Sequence, residues 1–62
     1  MFIRRLRWES TLAIGCYVVA VDGISAPLWW NGKDWENRLG VIHDSRIGTV
    51  GGRLGDYNHA EE

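Results

Sequence analysis

One cysteine and one proline occur among the 62 residues. The lone thiol, Cys16, cannot close an internal disulfide, and it leaves no zinc site built on paired cysteines. The fold must therefore rest on packing alone or on a second chain. No apolar run is long enough to cross a bilayer as a helix. Residues 12–21 reach Asp22-Gly23 after about half of the 20 or so residues a transmembrane helix needs, and extending the run to Trp30 would bury Asp22 and enclose Gly23 and Pro27. An excess of one charge is missing too: seven Lys and Arg stand against eight Asp and Glu, a net charge of −1. That balance disfavours a non-specific grip on a phosphate backbone, which takes several simultaneous cationic contacts.

The first 26 residues have the outline of a secretory signal, with Arg4, Arg5 and Arg7 ahead of the apolar run and the small pair Ser25-Ala26 after it. Ala13-Ile14-Gly15-Cys16 also resembles a lipoprotein cleavage site. Glu9-Ser10-Thr11 separates the charges from the apolar run and argues against both. An unpaired thiol fits a reducing compartment, so the expected location is cytoplasmic, with no membrane partner.

Tryptophan is plentiful instead. Three of the four lie in Pro27-Leu28-Trp29-Trp30-Asn31-Gly32-Lys33-Asp34-Trp35. Asn-Gly suits the two positive φ angles of a type I′ turn, which would set Trp30 opposite Lys33, Trp29 opposite Asp34 and Leu28 opposite Trp35. A hairpin this short needs cover on its aromatic side. The cover is either the protein's own core, since each large ring buries about 150–250 Å², or a partner. The run resembles hairpins of many small β modules, some of which bind sugars, and names no family.

The remaining chain reads as short strands. Residues 2–8 alternate imperfectly, with Phe2, Leu6 and Trp8 sharing a face. Glu9-Ser10 then suits a reversal into a long strand over residues 11–21. Both faces of that strand are apolar, as in a central strand covered on two sides, and Gly15 permits it to bend. The β-branched Val18, Val19 and Val21 favour extension over helix. Asp22-Gly23 is a second hairpin turn, and Pro27 belongs at an edge or a corner. Residues 33–39 admit a short helix with Trp35 and Leu39 on its inner face and Gly40 as its cap. Strands are expected over residues 39–42 and 46–50, and a loop over 51–56.

The expected fold is a small all-β or mainly β domain of short antiparallel strands, in a curved sheet or partly open barrel. Residues 1–55 form one domain and residues 56–62 an acidic tail. The expected core holds Leu6, Trp8, Leu12, Ile14, Val18, Ile42 and Ile47.

Catalytic chemistry is thin. His43-Asp44-Ser45 matches a hydrolytic triad only as a set of residue types, because adjacency supplies neither the required contacts nor an oxyanion hole. His43 and His59 lack a recognised ligand spacing, so no metal or other cofactor is expected. Gly48, Gly51, Gly52 and Gly55 come without a Walker lysine and read as turn residues. The expectation is a non-catalytic protein-binding module, a small inhibitor, assembly factor or accessory subunit, that engages another protein or a copy of itself. Trp29, Trp30, Trp35, Arg7 and Arg38 are its candidate contact residues. The alternative is single-stranded nucleic-acid binding, with Arg and Trp side chains as cationic and stacking groups.

Overall fold

In the computed structural model, residues 12–61 are described, so the expectations for residues 2–10, including Leu6 and Trp8 in the core, lie outside the described residues. The rest is mainly β. Five antiparallel strands, β1 (Gly15–Val21), β2 (Ile24–Trp30), β3 (Trp35–Asn37), β4 (Gly40–Ile42) and β5 (Ile47–Gly55), form one open sheet in the order β4-β3-β2-β1-β5. Single 3-10 turns at Asp44–Arg46 and His59–Glu61 are the helical elements among the described residues.

The connection from β4 to β5 forces the sheet to coil. Through the pairs Gly15–Trp30, Trp30–Trp35 and Trp35–Ile42, the end of β4 stands level with the start of β1, while Ile47 stands level with Val21 at the other end. On a flat sheet those corners would lie about 19 Å apart across the strands and about 20 Å apart along them. Five Cα steps from Ile42 to Ile47 reach about 18 Å at most. The corners must approach each other, and the inward face closes over a core of Tyr17, Val19, Leu28, Trp30, Trp35 and Ile42. Leu12, Val21, Ile47 and Val50 pack at its margin.

The outer strand bends to follow. Five steps along β1, from Cys16 to Val21, are matched by eight along β5, so β5 carries three extra residues in successive register shifts. Such bulges coil a strand and increase its twist. Glycine makes the close approach possible at Gly51, where a Cβ would stand 3.0 Å from the Val18 carbonyl oxygen. The residues expected as a loop over 51–56 are thus mostly strand, because bulges hide the alternation that marks one.

The two Gly-containing turns differ. At Asp22-Gly23 both φ values are positive, +52° and +84°, which is the two-residue hairpin expected there. At Asn31-Gly32 the expected register is corrected: Trp30 pairs with Trp35 and Trp29 with Glu36, around a four-residue loop. The Asn31 side chain causes it. Its Oδ1 accepts from the Lys33 and Asp34 backbone N–H groups, both at 2.7 Å, and Asn31 N–H donates to the Asp34 carbonyl. A side-chain turn replaces the backbone one. The slip is two residues, so the period of two leaves Leu28, Trp30 and Trp35 on one face as expected.

No helix forms over residues 33–39. Asn37 Oδ1 accepts from Leu39 N–H at 2.8 Å, Gly40 takes φ +126°, and a third hairpin results. Trp35 is buried and Leu39 is 85% exposed, so they do not share an inner face. Pro27 sits where β3 has already ended, since β3 pairs only with Trp29 and Trp30. That part of β2 is locally an edge, so the missing N–H costs no bond to β3.

The core assignment needs two corrections. Ile42 is buried, and Leu12 and Ile47 pack at the margin, but Ile14 and Val18 are 55% and 37% exposed. Both faces of this strand are apolar, so periodicity could not choose between them; Tyr17 and Val19 face the tryptophan pair instead. Cys16, on the opposite face, is also fully buried, but Ile14 and Val18 beside it on that face are exposed, so the two-sided cover expected for this strand is met only around Cys16. In the stretch read as a tail, the turn His59–Glu61 packs against β2 and β3 and buries Ala60.

Val19→Asp should unfold the domain, because a charge placed in the fully buried core has no partner and a chain of this length holds only about 3–9 kcal/mol of net stability. Ile14→Asp should leave it folded; urea titration followed by tryptophan fluorescence separates the two. Asn31→Ala should cost about 1–2 kcal/mol through loss of the two turn bonds, measured in the same titration against a near-neutral Lys33→Ala.

Candidate protein-binding surface

Alternation along β2 divides the tryptophans between two faces. Trp30 and Trp35 enter the core, with ring centroids 5.0 Å apart at 47°. Tyr17 meets the Trp35 ring edge to face at 5.6 Å, and its hydroxyl donates to the Ala13 carbonyl at 2.7 Å. Both indoles are essentially inaccessible, at 1% and 0% exposure. Their burial means that in the folded chain they stabilise the domain, and a partner would meet Trp29.

Trp29 is half-buried on the outer face. The register sets it between Cys16 of β1 and Glu36 of β3, with Val41 of β4 next in the row. Glu36 is held from the side, accepting at Oε2 from Asn31 Nδ2 at 3.1 Å. The β3–β4 hairpin then adds Val41, 62% exposed, and an exposed tip of Arg38 and Leu39. Trp29 and Arg38 therefore lie on the same half of the sheet. Arg7 lies outside the described residues. The surface residues that sequence reasoning missed are Leu39 and Val41, and the Asn37…Gly40 spacing was the available signal for the hairpin that presents them.

The cations of the sheet are unevenly committed. Arg46 meets the Asp22 carboxylate through Nε and Nη2, both at 2.9 Å, and the Asp22 N–H donates to the Arg46 carbonyl at 3.0 Å. This fastens the end of the β4–β5 connection to the β1–β2 turn. Both side chains are about half exposed, so the ion pair itself adds no more than about 1 kcal/mol. Arg53 donates through Nη2 to the Ile14 carbonyl and to Asp56, and its guanidinium lies where a Cβ on Gly15 would stand. The Asp56 hydrogen bond raises the Arg53 pKa above its ordinary value. Among the described residues, Lys33 and Arg38 enter no such ion pair.

The histidine region is a cap. His43 Nδ1 accepts from Ser45 N–H at 3.1 Å and lies 2.8 Å from Ser45 Oγ. The serine–histidine contact that adjacency alone does not supply is therefore present, but the same nitrogen caps the N-terminal end of the 3-10 turn at Asp44–Arg46. His59 instead packs edge to face on Tyr57, with centroids 4.8 Å apart. Among the described residues no three His, Cys, Asp or Glu side chains are grouped to hold a metal ion, and no helix is long and apolar enough to cross a membrane.

No family model matches the chain, and no curated protein or solved structure is significantly similar to it.

Single-tryptophan variants, with the other tryptophans replaced by phenylalanine, should separate the two faces. Acrylamide should quench Trp29 strongly and Trp30 and Trp35 weakly in the native state, with all three equal after unfolding. Equal native quenching would contradict the division.

Proposed function

We propose that this chain is a non-catalytic protein-binding module, of the kind that serves as a small inhibitor, assembly factor or accessory subunit. The observation that carries the reading is the grouping of half-buried Trp29, exposed Val41, and the Arg38–Leu39 tip on one part of the sheet. A partly exposed indole with flanking aliphatics can be desolvated by a partner without unfolding anything. Tryptophan and arginine contribute disproportionately to such contacts.

Single-stranded nucleic-acid binding ranks lower. Stacking needs accessible rings, and two of the three clustered indoles are spent on the core. Arg46 and Arg53 already have carboxylate partners. The buried, unpaired thiol of Cys16 suits a reducing compartment, and cytoplasmic location is part of the same proposal.

A photo-crosslinking residue at position 29, introduced into the full chain in its native source, should become attached to a protein. Leu39→Ala should weaken the isolated complex about tenfold, the scale of one lost interfacial anchor, while the thermal midpoint stays nearly unchanged. Attachment to single-stranded nucleic acid instead, with affinity falling steeply as salt rises, would reverse the ranking.

A further inference from the structure

The outer edge of β4 is self-complementary. Asn37 and Gly40 close a two-residue loop and so exchange both ladder bonds. Alternation makes Trp35–Ile42 a second bonded pair and Glu36–Val41 the intervening non-bonded one. The Val41 N–H and C=O therefore point away from β3, and among the described residues no strand lies on that side.

A second copy placed antiparallel about a two-fold axis at Val41 would satisfy both groups at once. Val41 would face Val41 in a bonded pair, Gly40 would face Ile42, and Leu39 would face His43. Arg38 would then approach Asp44 of the second copy, and symmetry supplies that contact twice. Arg38 and Asp44 are both exposed, and neither enters an ion pair among the described residues. The charges at the two ends of β4 are thus opposite in sign and equally spaced from its centre, as an isologous contact requires.

We infer that the β4 edge mediates self-association, joining two sheets through Val41 with Arg38 and Asp44 pairing reciprocally at its ends. This names the partner within the protein-binding reading and rests on that reading. The strand has three residues, and its contact falls short of the roughly 1,000 Å² that a stable interface buries. The association is accordingly weak and concentration-dependent.

Sedimentation equilibrium and NMR dilution from about 10 μM to about 1 mM test it, with a dissociation constant expected within or just above that range. Arg38→Asp and Asp44→Arg should each weaken association about tenfold, because an attraction becomes a repulsion at both ends. An equimolar mixture of the two variants should regain it as a heterodimer, since each end again brings opposite charges together. Val41→Lys should abolish association by facing like charges at the axis, with retained near-ultraviolet circular dichroism confirming the fold. A wild-type chain that stays monomeric to 1 mM, or a mixture that fails to regain association, overturns the inference. If the chain is monomeric while position 29 still crosslinks to a different protein, only self-association fails. If association follows the charge swap while position 29 captures nothing, the inference holds and the Trp29 surface is what fails.

Discussion

Four residues, 43–46, join opposite corners of a five-stranded sheet, and they are too short to do so unless the sheet coils. Coiling brings Ile42 and Ile47 to one core and bends β5 around β1 by three extra residues. The Asp22–Arg46 contacts hold the connection against the first hairpin, where a backbone hydrogen bond reinforces an exposed ion pair of little worth alone. Curvature in turn fixes what the tryptophans can do. The inner face is concave and takes two indoles and a phenol into contact, while the outer face leaves Trp29 half covered.

This arrangement explains how a chain without disulfides builds a core at this size. Leu28, Trp30 and Trp35 supply large buried side chains from two adjacent strands. Apolar area at about 25 cal/mol per Å² makes each a substantial contributor. Tilted and edge-to-face ring contacts add about 0.5–1.5 kcal/mol per pair beyond area. The same residues make the sheet intolerant of a one-residue slip at β3, which would turn Trp35 outward and bring Glu36 in.

Much of this was legible in the residues. The β class, a curved antiparallel sheet, the Asp22-Gly23 turn and the grouping of Leu28, Trp30 and Trp35 all follow from turn chemistry and a period of two. The inner face of β1 was not legible, because Ile14 and Val18 are as apolar as Tyr17 and Val19, and the choice depends on partners distant in sequence. The Asn31 loop misled for a different reason: asparagine can serve a turn through its backbone or through its side chain, and the sequence Asn-Gly is common to both. β5 was truncated because glycines that suggest a loop also permit bulges. Of the candidate surface, the sequence points to Trp29 and Arg38, whereas its four-residue spacing from Trp35 places Leu39 on the inner face of a helix that does not form.

The strand order has a consequence for synthesis. β1 leads the described sheet in sequence but lies inside it, between β2 and the edge strand β5. A nascent chain can fold the β1–β2 hairpin early, but one flank of β1 must wait until residues 47–55 have left the ribosome. During that interval an apolar strand offers open backbone groups to other chains, the condition in which partly made β proteins aggregate. Completion replaces that flank with a bulged, glycine-rich border that is a poor template for further pairing.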